Sequence, residues 1–313
     1  MMGDSRRQKA WSKFNPVIAV RDFSGGIFSL DISWQLLDLH DVVDVSISRG
    51  AGEVSIFSDD PRVPSGRGDQ ASGNNCHGAC CLMQKIAGSQ AEGWDISVYI
   101  QKRIPFAGGL GGSATDASAV VRALNSIFGL QLDSMELSAA SVTLGHDCAF
   151  FSLGEVAAKG GEKRDQQVRI EPIPSLVGVS AVGIYPSAGM GIYSGGVYSS
   201  LAQVPMELLL KSDSFSGNMK EYQECVEKGE YYRALTSMGN DLEKAPLIAE
   251  NTDIPVMRNL LDKSGAIVTM LSGSGPTLLG FFESDRDVAA FLKKNCDNSR
   301  YTIFPLKPQF DFD

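Results

Sequence analysis

In the opening segment apolar and polar positions alternate with a period of two. "NPVIAVRDF", "GIFSLDISWQLLDL" and "DVVDVSISRG" carry β-branched and aromatic residues broken by Gly and Asp, the pattern of half-buried strands. Residues 58 to 74, "SDDPRVPSGRGDQASGN", are poor in apolar residues and rich in turn formers, so an exposed loop is expected before a helix over "CHGACCLMQKIAG". "WDISVYIQKRIP" returns to strand and runs into "PFAGGLGGSATDAS", residues 105 to 118. Beyond that loop Ala117, Val120, Val121, Leu124, Ile127 and Phe128 recur at helical spacing, and Gly129 supplies a stop. Asp133 with Glu136 forms the pattern of a capping box for a further helix that ends near Gly145.

Charge and proline collect in "KGGEKRDQQVRIEPIPSL", which places a domain boundary near residue 166 and gives domains 1–166 and 167–313. The second half reads as a strand "VGVSAVGIYP", a loop "PSAGMGIYSGG", and helical stretches through "YYRALTSMGNDLEKA" and "PVMRNLLDKSG". "AIVTMLSGSGPTLLGFFE" follows as strand, glycine turn, strand, and a helix "DRDVAAFLKKN" and a strand "YTIFPL" close the chain. Strands and helices in this order make an α+β protein.

Composition narrows the picture. A chain of 313 residues that is 43% hydrophobic has apolar material for one large core or two ordinary ones. No apolar run reaches the roughly 20 residues of a membrane span, and no signal-type stretch follows "MMGDSRRQKAW"; a cytoplasmic protein without membrane partners is expected. The 28 basic against 37 acidic residues leave a net charge of -9, which disfavours nucleic acid as a partner. Cys76, His77, Cys80 and Cys81 fall close together on two adjacent helix faces, but the separated ligand pairs of a structural zinc site are absent; buried thiols packing as small apolar groups are expected instead.

The glycine loop carries the chemistry. A strand entering a glycine-rich turn that opens a helix aims unpaired N–H groups and the positive end of a helix dipole at one spot, which suits phosphate. Ser113 and Thr115 add hydroxyls for phosphate or a phosphate-bound magnesium ion. No lysine follows the glycines, so this is not a Walker loop. Gly109, Gly111 and Ala114 match G-x-G-x-x-A, but the next segment, "GLQLDSMELSAASVTLG", leads to another helix instead of a parallel strand ending in an acidic residue.

"PFAGGLGGSATDAS" resembles the second motif of the GHMP kinases, P-x-x-x-G-L-G-[SG]-[SG]-x-A, and "WSKFNPVIAV" and "MLSGSGPTLLGFF" fall where that family has its first and third motifs. Within the family the likeness is to the 4-diphosphocytidyl-2-C-methyl-D-erythritol kinases of the non-mevalonate isoprenoid pathway, carried by "AWSKFN", "KRIPFAGGLGGSATDAS", "LGHDCAFF", "GEVAAKGGEK", "NDLEKAP" and "SGSGPT". The resemblance implies a two-domain fold: an N-terminal ATP-binding domain like ribosomal protein S5, a ferredoxin-like C-terminal domain, and an active site between them. It implies an ATP-dependent kinase acting on a small-molecule alcohol, the 2-hydroxyl of 4-diphosphocytidyl-2-C-methyl-D-erythritol, as a monomer or homodimer.

By the same resemblance Asp147 is the catalytic base and Lys13 the catalytic lysine that offsets transition-state charge. Pro105, Phe106, Ala107, Gly108, Gly109, Leu110, Gly111, Gly112, Ser113, Ala114 and Thr115 wrap ATP, with magnesium arriving on the nucleotide and reached by Ser113 or Thr115. Lys102 and Arg103 stand just before the loop, either as charge beside the nucleotide or as a solvated strand end. Asn15, Gly273, Ser274 and Gly275 fall to the substrate, although "SGSGPT" also reads simply as a hairpin turn. Phe28 stands where the family has a histidine that contacts cytosine; its ring stacks but cannot hydrogen-bond a base edge. Ala149 replaces the proline usual after the catalytic aspartate. Other alcohols of mevalonate, phosphomevalonate or homoserine type, and a nucleotide-binding regulator without turnover, remain alternatives.

Overall fold

The computed structural model describes residues 4–162, 169–188, 191–211, 213, 215–309 and 311–312. The boundary expected near residue 166 and the middle of "PSAGMGIYSGG" lie outside the described residues. In chain order the strands are β1 (Ser5–Phe14), β2 (Val17–Ser24), β3 (Ile27–Arg49), β4 (Val54–Ser58), β5 (Gly66–Arg67), β6 (Trp94–Gln101), β7 (Ala157–Glu162), β8 (Arg169–Pro172), β9 (Ser180–Pro186), β10 (Gly239–Asn240), β11 (Val268–Leu271), β12 (Leu278–Phe282) and β13 (Tyr301–Leu306). The α-helices are α1 (Asn75–Ala87), α2 (Gly112–Ile127), α3 (Ser134–Ser141), α4 (His146–Leu153), α5 (Ser194–Leu201), α6 (Met206–Leu209), α7 (Met219–Glu227), α8 (Tyr231–Thr236), α9 (Pro246–Ala249), α10 (Asp253–Asp262) and α11 (Asp285–Lys294).

The chain forms two compact units that interleave in sequence. One comprises 1–12, 39–106 and 111–155, the other 13–38, 107–110 and 156–313. In the first unit the later half of β3 pairs antiparallel with β6, from Val42 opposite Gln101 to Arg49 opposite Trp94, and β4 lies parallel to β6. Every second residue is buried: Val43, Val45 and Ile47 on β3, Ile96, Val98 and Ile100 on β6. That face is closed by the apolar sides of α1 and α2, through Cys76, Ala79, Cys80, Met83, Ala117, Val120, Val121 and Leu124. The side chain of Asn74 caps α1 by accepting from Cys76 N, and the Asp133–Glu136 capping box opens α3 as expected.

In the second unit β2 and β7 flank the earlier half of β3, with Ile18 opposite Ile32 and Gln35 opposite Ala157. A separate antiparallel sheet runs β11-β12-β9-β13. Its β9 is buried along its whole length and its β11 and β12 are joined by the "SGSGPT" turn, the strand-turn-strand read from sequence. Among the described residues no helix is long and apolar enough to cross a membrane.

Three elements depart from the pattern reading. β1, too charged to be recognised, is a strand whose last residues, Ala10 to Phe14, are buried while Arg7 pairs with Asp44 at the exposed end. The two strands expected over 27–49 are a single strand, because the polar interruption is satisfied where it stands: Asp38 N donates to Lys307 O, and the Asp41 carboxylate accepts from Arg103 N and Ile104 N. The helical stretch expected over "YYRALTSMGNDLEKA" breaks after Thr236 into β10, which pairs parallel with β2. At Gly239 a Cβ would lie 2.4 Å from Gly217 N, so the chain passes there only as glycine.

Candidate active site

Lys13 and Asn15 come from the end of β1 and the turn into β2. Both are buried, at 4% and 1% exposure. The Lys13 ammonium donates to Asn15 Oδ1 at 2.6 Å, and the Asn15 amide donates to Ser33 O at 2.8 Å. Lys13 is therefore no solvated surface lysine. Its main chain is part of the same arrangement, since Lys13 N donates to Leu110 O at 3.0 Å.

Residues 107–110 of the glycine loop belong to this unit and interlock with the "SGSGPT" turn. Gly108 O accepts from Thr277 N at 3.3 Å and Gly109 O from Ser272 Oγ at 3.2 Å. The fit excludes side chains: a Cβ on Gly109 (φ 81°) would lie 2.0 Å from Ser272 O, and one on Gly273 (φ 52°) would lie 2.8 Å from Gly109 O and 3.4 Å from Lys13 Nζ. Ala107 is a non-glycine residue at φ 48°, a strained conformation of the kind that gathers at functional loops. Its carbonyl accepts from Ile192 N, and Ser194 Oγ lies 2.9 Å from Ser274 Oγ. Lys13, Asn15, Gly273, Ser274 and Gly275 are thus gathered around one loop, a tighter assembly than a simple hairpin turn requires.

The remaining loop residues belong to the other unit. Gly111 (φ 78°) is the N-cap of α2 and offers no side-chain cap, while Ala114 N and Thr115 N donate to Gly111 O. By the geometry of a helix start, the N–H groups of Gly112 and Ser113 then point along the axis toward any ligand. Of the two hydroxyls Ser113 is exposed and Thr115 is buried. Asp147 is half-buried in the first turn of α4, where the helix dipole favours a carboxylate. The Cys148 thiol beside it is pushed up to about 12 by burial and by the charge of Asp147.

The surroundings of Lys102 and Phe28 bear on their expected roles. Lys102 is not a solvated strand end: β6 stops at Gln101, and the Lys102 side chain, 7% exposed, is paired with Asp41 and with Asp116 at 2.7 Å. Phe28 is 6% exposed in the core of its unit, its ring 4.3 Å from Phe23 and 6.0 Å from Tyr198. On α1, Cys76 and Cys80 are buried and Cys81 and His77 share the outer side, 3.7 Å apart; among the described residues no group of three His, Cys, Asp or Glu side chains is placed to hold a metal ion.

Sequence reading missed the residues that hold these loops. Asn240, fully buried, donates to Leu271 O at 2.9 Å and Gly273 O at 2.7 Å, while Glu243 accepts from Leu271 N at 2.9 Å. The signal was available in "GNDLEKA", four polar side chains too closely spaced for the apolar face of a helix.

The sequence profile of the GHMP kinases N terminal domain matches residues 74–155, and that of the GHMP kinases C terminal domain matches residues 223–299. The chain belongs to the GHMP kinase family. As a GHMP kinase it is 30% identical to the 4-diphosphocytidyl-2-C-methyl-D-erythritol kinase of Acetivibrio thermocellus, over 95% of this chain and 96% of that protein. The fold is shared with a crystal structure of 4-(cytidine 5'-diphospho)-2C-methyl-D-erythritol kinase, TM-score 0.71 at 23% identity over 97% of this chain and all of the other. It is shared nearly as well with a homoserine kinase from Cytophaga hutchinsonii, TM-score 0.70 at 16% identity over 100% of this chain and 97% of the other. The fold of this GHMP kinase is therefore common to enzymes with different acceptors, and substrate must be argued from elsewhere.

Proposed function

We propose that this GHMP kinase transfers the γ-phosphoryl group of ATP to the 2-hydroxyl of 4-diphosphocytidyl-2-C-methyl-D-erythritol. The observation that carries the substrate is the 30% identity, spread over 95% of the chain, to a kinase of that name. The fit to ATP rests on the start of α2, where an uncapped first turn follows positive φ at Ala107, Gly109 and Gly111. Such a start supplies backbone donors and a positive dipole to phosphate oxygens. Ser113, the exposed hydroxyl there, would hold magnesium carried by the nucleotide, an ion that neutralises charge on the β- and γ-phosphates.

In this reading Asp147 accepts the proton of the attacking hydroxyl, and Lys13 offsets the negative charge that grows on the transferred group. Asn15 holds the Lys13 ammonium in one place, so its charge needs no reorganisation during the reaction. Gly273, Ser274 and Gly275 bind the substrate from the turn that latches the ATP loop.

One observation favours a different small alcohol of the mevalonate, phosphomevalonate or homoserine type. Phe28 has no ring nitrogen for a cytosine and is packed into the core. A substrate panel with ATP and magnesium, read by ADP release, separates the two readings.

A further inference from the structure

Lys102, Asp41 and Asp116 form a buried cluster within the first unit that the reaction itself does not use. Asp41, fully buried on β3, turns one carboxylate oxygen to Arg103 N and to Ile104 N, the latter at 2.8 Å, and the other to the Lys102 ammonium. Asp116, 3% exposed in α2, accepts from the same ammonium through Oδ2 at 2.7 Å. Its Oδ1 is buried with no hydrogen-bond partner among the described residues. The ammonium sits against the start of the helix: a Cβ on Gly112 would lie 3.2 Å from Lys102 Nζ and 3.3 Å from Ile104 Cγ2. The three groups therefore tie β3, the strand exit after β6 and the first turns of α2 to one point, at both ends of the glycine loop.

We propose that Lys102 is a positioning residue: by bridging Asp41 and Asp116 it fixes the angle at which the glycine loop opens into α2, and so aims the N–H groups of that helix start at the phosphates without touching the nucleotide. Two buried carboxylates around a single ammonium make a costly arrangement where apolar packing would serve stability as well. What the ions add over apolar side chains is direction, because each carboxylate accepts only from where its donor stands. A Lys102 so engaged has no charge to spare for a ligand. Asparagine at position 116 would also accept a hydrogen bond from the ammonium through its side-chain oxygen.

The proposal rests on the ATP reading, and nucleotide binding measured without any alcohol keeps the two apart. Titration of the whole protein with ATP and magnesium, by calorimetry, should give a measurable Kd for the unaltered chain; no binding at all would overturn the ATP reading and this proposal with it. Asp116→Ala should raise the Kd about tenfold, with Asp116→Asn within about threefold of the unaltered protein. In turnover the alanine variant should show the change in the KM for ATP, with kcat within about threefold. If Asp116→Ala fails to fold, Asp41→Asn decides the matter at constant volume. Its amide can keep the contacts to Arg103 N and Ile104 N only by turning its N–H groups toward the ammonium, and a rise in Kd of about fivefold is expected. ATP binding unaltered in Asp116→Ala or in Asp41→Asn overturns the proposal, as does an asparagine variant at position 116 as weak as the alanine one.

Discussion

Lys13 and Asn15 are joined by a hydrogen bond of 2.6 Å in which the ammonium donates to the side-chain carbonyl, both groups being buried. A lysine held in this way keeps its charge at one point, and if it is the proposed catalytic lysine its removal should be felt in the transition state more than in nucleotide binding. Lys13→Ala is therefore expected to lower kcat by on the order of 100-fold, with the Kd for ATP changed less than about threefold. Steady-state kinetics with a parallel ATP titration checks this; a loss confined to ATP affinity would move Lys13 into the nucleotide site.

Asp147, in the first turn of α4, is the proposed base. Asp147→Asn keeps its shape and removes its capacity to take a proton, and kcat should fall by about 100-fold or more with ATP affinity nearly unchanged. An unaltered kcat in rapid-quench measurements would take Asp147 out of the chemistry.

Gly109 and Gly129 both have positive φ, at 81° and 64°, but only Gly109 is hemmed in: a Cβ there meets Ser272 O at 2.0 Å, while one on Gly129 meets nothing within 4 Å. Gly129→Ala should cost about 1 kcal/mol of stability, the strain of the left-handed region alone. Gly109→Ala should push the glycine loop off the "SGSGPT" turn and weaken ATP binding at least tenfold, roughly 1.4 kcal/mol. Equal effects of the two substitutions on ATP binding would show that the loop does not need its close approach to Ser272.

Phe28 gives a prediction opposite to that of its alignment with a base-contacting histidine. Its ring is held by Phe23 and Tyr198 in the core, so Phe28→Ala should cost about 3 to 5 kcal/mol of stability by cavity formation. Phe28→His should not improve kcat/KM for the cytidine substrate. A gain of several-fold in the histidine variant would put residue 28 back in the pocket.

The carboxyl of Asp116 is pushed up to about 7, chiefly by burial, with the charge of Lys102 opposing. In the unfolded chain it ionises near 3.9. Between these values the folded protein holds a proton the unfolded chain has released, so the contribution of Asp116 to stability falls as pH rises through that window and levels off above it. Asp116→Asn removes this dependence. Urea unfolding at pH 5 and pH 8 should show the variant gaining on the unaltered protein at the higher pH; a difference independent of pH would contradict the assignment.

Much of this architecture was legible because the relevant signals are local. The capping box at Asp133 and Glu136, the helix stop at Gly129 and the turn between β11 and β12 each depend on a few neighbouring residues. What could not be read depends on distant partners. Asp41 looks like a strand breaker until Arg103 and Ile104 supply its donors. Lys102 looks like a surface charge until Asp41 and Asp116 close over it. The packing of Phe28 against Phe23 and Tyr198 is of the same kind, since alignment with the family's histidine fixes a position along the chain and says nothing of these partners.

ADP release from ATP and magnesium, with purified protein and 4-diphosphocytidyl-2-C-methyl-D-erythritol, mevalonate, phosphomevalonate and homoserine offered in turn, decides which alcohol the enzyme phosphorylates. Turnover with the cytidine compound is expected at a kcat/KM at least about 100-fold above that for the other alcohols. No ADP with the cytidine compound at high enzyme concentration, or faster release with another alcohol, would contradict it.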